Sequence, residues 1–270
     1  MQKKEDNDGL DNTAVPLIEH LSELRKRIIR CMFAFVIGMV LSFAVATDIF
    51  NFLAAPITKM LIENGQSPDL IFTGLQQGFM VNIRISLFGG LILAFPIISH
   101  QLWKFVAPGL YKKEKNAFLP FIISSPLLFI LGASFAFYVV IPLAFDFFLG
   151  FQQEKSSDLL DAVGVTYLGT INEYLSLTMK FIIAFGLCFQ LPVLLTLMGK
   201  AGLVSSDGLI KVRKYAIVGI LVLAAIVTPP DVITQIILFV VVYSLYEISI
   251  FLVKRVEKKR DLEDTLEDNI

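Results

Sequence analysis

The chain has 270 residues, of which 56% are hydrophobic and only 17% charged, and its mean hydropathy is +0.72. A soluble domain carries about a quarter charged residues, so this composition excludes an ordinary globular protein. A net charge of −1 gives no basic excess to attract nucleic acid. Two His and two Cys, far apart, exclude a zinc cluster and a disulfide framework. Cys31 and Cys188 lie in apolar runs and read as buried thiols. The composition defines an all-α polytopic membrane protein, with no metal or cofactor site.

Crossing ~30 Å of hydrocarbon takes ~20 helical residues. Ile28 to Ala46 is charge-free after Arg30 and reads as span one. The acidic, polar residues 1–15 do not resemble a cleavable leader, so this first span stays uncleaved. Phe79 to Ser99 forms span two, with Arg84 inside it. The run Asn116 to Gly150 holds Pro120, Pro126 and Pro142, which predicts a kinked third span ending near Pro142. Tyr174 to Met198 forms span four, with Lys180 near its start. Tyr215 to Val227 runs straight into Thr228-Pro229-Pro230-Asp231, where the chain must reverse. Span five is therefore short, at roughly 20 Å, and Val232 to Val253 forms span six.

Basic residues set the orientation. With six spans, only Lys59 and Lys155 fall on one side, and Arg84 and Lys180 lie within spans. Every other Lys and Arg of the 23 falls on the opposite side, which places both termini in the cytoplasm. The expected organisation is a disordered N-terminus over 1–15, a six-helix membrane domain over 16–253 and a solvated cytoplasmic tail over 254–270. On the outside, Ile49 to Leu61 predicts a short surface helix interrupted by Pro56. Residues 143–171, with Glu154, Asp158 and Asp161, predict an acidic, loosely structured outer segment.

Two cytoplasmic carboxylates stand out. Leu17, Leu21, Leu24 and Ile28 form one stripe of an amphipathic helix, with Glu19, Glu23 and Arg27 on another face. Glu23 either pairs with Arg27 one turn on or offers its carboxylate to a cationic ligand. Glu114 is the acid of a loop that also holds Lys104, Lys112, Lys113 and Lys115, beside the aromatics Trp103, Phe105 and Tyr111. It is either neutralised by those lysines or available to a ligand, the aromatics serving as a headgroup-level belt. Together the two carboxylates would suit a ligand with paired guanidinium groups.

Ionisable groups at membrane depth are functional suspects. Arg84 and Lys180 can snorkel outward, and Glu247 suits a tie between spans. Gln190, beside Pro192, is polar without charge. These residues form no chain of titratable groups, and His20 and His100 sit at the interface.

The motifs in order resemble the TatC family, the multispanning subunit of the twin-arginine protein translocase. They are His20-Leu21-Ser22-Glu23-Leu24-Arg25, Phe105-Val106-Ala107-Pro108-Gly109-Leu110-Tyr111 with Glu114, and Ala184-Phe185-Gly186 leading to Leu191-Pro192-Val193. Thr228-Pro229-Pro230-Asp231 with Gln235, and Leu245-Tyr246-Glu247-Ile248, complete the set. The resemblance implies a cupped, concave six-helix wall in the inner membrane of a bacterium, with short fifth and sixth spans. It implies that Glu23 and Glu114 recognise twin-arginine signal peptides of folded cargo, with Arg25 and Phe105 on the same surface. Thr228, Asp231 and Gln235 match a patch for docking TatA-like and TatB-like single-span partners, in an oligomeric complex driven by protonmotive force. The chain departs from many relatives in carrying Gln190 where they have Glu.

The alternative reading is an ion-coupled transporter of a small solute, which the lack of an internal repeat disfavours. An intramembrane enzyme would need a nucleophile–base pair or metal ligands within the spans, and the sequence supplies neither.

Overall fold

The computed structural model describes residues 8–106, 119–152 and 167–267. Long apolar runs without water partners for their backbone can only be helical at membrane depth, and helices dominate the fold. The first, α1, covers Asp8–Ala44, and a break at Val45 leads into α2, Ala46–Glu63. Then come α3, Gln77–Val106, and α4, Leu119–Phe135. A π-helical turn at Ala136–Val140 joins α4 to α5, Ile141–Leu149. The chain continues through α6, Ile171–Cys188, and α7, Leu191–Lys200. It ends with α8, Ser206–Val227, and α9, Val232–Glu267.

Among the described residues, five helical segments are long and apolar enough to cross a membrane: His20–Ala44, Gln77–Phe105, Pro120–Leu149, Ile171–Lys200 and Val232–Arg260. The expected fifth span, within α8, is not among them. Its 22 residues include Lys211, Arg213 and Lys214, which leave only the second half apolar.

Proline acts differently from expectation in the third crossing, which does not end near Pro142 but continues to Leu149. The π turn accommodates the ring at the start of α5, because an extra residue in the turn relieves the missing N–H bond. In the fourth crossing α6 and α7 are separated at Phe189–Gln190, just before Pro192.

The surface helix expected around Pro56 is α2, with Pro56 inside it. Leu53, Ala54, Ile57 and Leu61 form its buried face, packed on α3, α5 and α6. The buried Tyr174 hydroxyl donates to the Leu53 carbonyl at 2.5 Å and ties α2 to α6. The two connections on this side are joined by a short parallel bridge. Ile71 N–H donates to Gly169 O at 2.9 Å and Ile171 N–H to Ile71 O at 3.2 Å. The segment over 143–171 is therefore ordered at both ends, while Glu154, Asp158 and Asp161 lie outside the described residues.

Both ends of the chain are more helical than expected, since α1 already begins at Asp8 and α9 runs on to Glu267. Cys188 is buried as expected, but Cys31 is only half-buried on α1.

In lipid no hydrophobic force drives helices together, so close packing at small residues must do so. Between α1 and α3 the backbones meet at glycine. A Cβ on Gly38 would stand 2.9 Å from Gly90 O, and one on Gly90 only 2.7 Å from Met39 N. Between α4 and α6 the notch is reciprocal, with Gly186 against the Phe129 ring and Gly132 against Phe189. Gly90→Ala should destabilise the fold by about 1–3 kcal/mol, because the added methyl meets backbone that cannot yield. Gly219→Ala, which meets nothing within 4 Å, should be neutral or stabilising by up to ~1 kcal/mol. Thermal unfolding of the two variants in detergent, side by side, reads the contrast.

Candidate functional site: a carboxylate at the mouth of span one

The start of span one and the end of span two meet through polar and aromatic contacts. Glu23 and Arg27 lie one turn apart on α1, and the Arg27 guanidinium grips Oε1 of Glu23 through Nε at 3.1 Å and through a second nitrogen. A third nitrogen of Arg27 donates to Gln101 Oε1 on α3 at 3.4 Å. The Glu23 side chain keeps 39% of its exposure, against 13% for Arg27. Beside this pair the His20 ring stacks on Phe105 at 4.3 Å and 18°. Phe105 is half-buried, and Arg25 is exposed. The arrangement offers an accessible carboxylate next to a stacked aromatic surface, which can accept a cation. Glu114 lies outside the described residues.

Trp103 does not join an interfacial belt. It is 5% exposed and packs with Val193 and Leu197, because α3 ends against the second half of the broken fourth crossing. Gln101 was not among the sequence candidates. A single amide in an aromatic stretch at the end of a span was the available signal.

At the prolines between α8 and α9, Asp231 is 7% exposed and caps α9. Its carboxylate accepts the Thr234 N–H at 2.7 Å and the Thr234 hydroxyl at 2.5 Å. Thr228 is also buried, and its hydroxyl donates to Ala224 O at 2.9 Å. Gln235 is half-buried. Of these three, only Gln235 retains a partly open side chain.

The intramembrane polar residues form separate local pairs. The Ser125 hydroxyl donates to Gln190 Oε1 at 2.6 Å, and Gln190 Nε2 returns a bond to Ser125 O at 3.0 Å. This closed exchange joins α4 to the break in the fourth crossing without any charge. Arg84 donates to Asn172 Oδ1 at the start of α6. Lys180 is exposed and makes no polar contact among the described residues. Glu247 ties two helices, accepting from Arg213 on α8 at 2.6 Å and from the Tyr243 hydroxyl at 2.9 Å.

Two more ties bind the same helices. Tyr246 donates to Leu209 O at 2.8 Å. Glu257 accepts the Ser206 N–H at 2.9 Å and the Ser206 hydroxyl at 2.5 Å.

The fold and the charge-poor interior define a multi-pass helical membrane protein whose polar groups tie its helices together. The model of the Sec-independent protein translocase protein (TatC) family matches residues 19–240. A TatC protein of Magnetococcus marinus is 46% identical over 253 residues, covering 94% of this chain and 89% of that protein. Another, from Desulforapulum autotrophicum, is 41% identical, covering 92% and 88%. A crystal structure of the twin-arginine translocase receptor TatC superimposes with a TM-score of 0.74 at 41% identity, covering 88% of this chain and 99% of that one. The chain belongs to the TatC family. It is a core subunit of a protein translocase and not an enzyme.

The cap on α9 yields a separable test of Asp231. Asp231→Ala should cost about 0.5–2 kcal/mol of stability, while Asp231→Asn, which keeps a capping oxygen, should lose much less. Melting temperatures of the purified variants check this directly.

Proposed function

We propose that this chain is the receptor of a twin-arginine translocase in the inner membrane of a bacterium. Signal peptides of folded cargo proteins bind through their paired arginines to Glu23 and Glu114, with Arg25 and Phe105 on the same surface. TatA-like and TatB-like single-span helices then dock around Thr228, Asp231 and Gln235, and the protonmotive force drives transport. Of the three docking residues, Gln235 makes the side-chain contact, and the buried Thr228 and Asp231 shape the turn that presents it. The observation that carries this reading is the accessible, partly unpaired carboxylate of Glu23 beside the stacked Phe105. Guanidinium is the cation such a carboxylate accepts best.

Photocrosslinking tests the receptor role. A peptide with an Arg-Arg pair should label the segments 20–27 and 103–115, and Glu23→Gln should weaken its binding roughly tenfold or more, as loss of a charge-assisted bond implies. Equal labelling by a Lys-Lys peptide would remove the basis for a twin-arginine receptor.

The reading includes α8 as a sixth, short crossing, with both termini cytoplasmic. Its half-apolar composition is accommodated by local bilayer thinning. In a variant lacking Cys31 and Cys188, single cysteines at 65 and 229 should react with an impermeant maleimide from outside the cell. Cysteines at 203 and 262 should react only after lysis. Reaction of 203 and 229 from the same side would rule out a crossing by α8.

A further inference from the structure

We infer that Arg27 sets the preference of the Glu23 site for guanidinium over ammonium cations. The inference rests on the receptor reading above and adds a residue that this reading does not use.

Three features carry it. The first is how the Arg27 fork meets the carboxylate. Both contacts to Glu23 fall on one oxygen, Oε1. The second oxygen, Oε2, accepts no hydrogen bond among the described residues. The usual fork-on-carboxylate pairing engages both oxygens; here half of the carboxylate is held and half is left open. The second feature is that Arg27 is itself fixed. Its side chain is 13% exposed, and its remaining nitrogen reaches Gln101 on the neighbouring helix. It cannot swing away as a free surface arginine would, so it orients Glu23. The third feature is charge. Pairing leaves Glu23 and Arg27 with no net charge, so the site has little long-range pull on a cation. What it retains is a directional lone pair.

Those conditions favour one cation over the other. A lysine ammonium is a compact, strongly hydrated point charge that gains chiefly from a bare anion. An arginine guanidinium is planar, weakly hydrated and gains from oriented acceptors. Neutralising Glu23 while orienting its open oxygen therefore costs a lysine ligand more than an arginine ligand. Arg27 is a positioning residue, acting through Glu23.

The test uses the full chain in lipid nanodiscs and two fluorescent peptides that differ only in an Arg-Arg or Lys-Lys pair. Dissociation constants are read by anisotropy for the native chain, Arg27→Gln and Arg27→Lys. The native chain should prefer the Arg-Arg peptide. In Arg27→Gln the Lys-Lys peptide should bind more tightly, and the preference should fall about tenfold. Its Lys-Lys binding should also become more sensitive to salt, as attraction to an exposed bare charge does. Arg27→Lys, which keeps the charge and loses the fork, should give an intermediate ratio.

An unchanged ratio in both variants would overturn the inference, as would an equal loss of both peptides, which marks a merely structural role. Should Arg27→Gln fail to fold, the ratio in Arg27→Lys decides alone. Absence of any Arg-Arg preference in the native chain would instead refute the receptor reading, and the inference with it.

Discussion

The position of the Glu23 carboxylate depends on a contact between two backbones. Span one is the least buried of the five long crossings, and it meets the rest of the fold chiefly through α3. Lipid offers no hydrophobic drive to hold such a helix. Adhesion must come from close approach, and Gly38 against Gly90, with Ser42 beside Gly89, permits it. Glu23 and Arg27 sit at one end of this seam, and Gln101 and Phe105 lie opposite them on α3. The seam therefore determines whether the carboxylate and the aromatic surface stand side by side.

Three of the polar side chains that the sequence singled out at depth find partners on an adjacent helix. Gln190 exchanges bonds with Ser125, Arg84 meets Asn172, and Glu247 is held by Arg213 and Tyr243. These pairs join helices and do not line up as a path. At Gln190 the geometry needs a group that both donates and accepts, and the amide supplies both without a charge. Gln190 is thus well suited to its surroundings.

Much of this was legible in the sequence because the signals are local. Apolar runs gave four of the crossings and α9, prolines marked the third crossing as kinked, and the four-residue spacing of Glu23 and Arg27 offered their pairing as one of two readings; the break before Pro192 was not foreseen. Less accessible were contacts between distant residues. Gln101 reaches Arg27 across 74 positions, and Ser125 reaches Gln190 across 65. One sequence carries no record of which distant residues meet, so Trp103 looked like an interfacial anchor until packing against Val193 and Leu197 showed otherwise. Pro142 was misread as a terminus because a π turn leaves no mark in composition. The capping role of Asp231 could have been read from its place just after two prolines and three residues before Thr234.

The last helix has 36 residues, a rod of about 54 Å. It is gripped by the first two turns of α8 at Ser206, Leu209 and Arg213. Those three grips hold the polar end of α8, while Ile220 and Ala224 bury its apolar half in the core. A pull on the far half of α9 is therefore passed to α8 through three polar ties, so the pair acts as one lever.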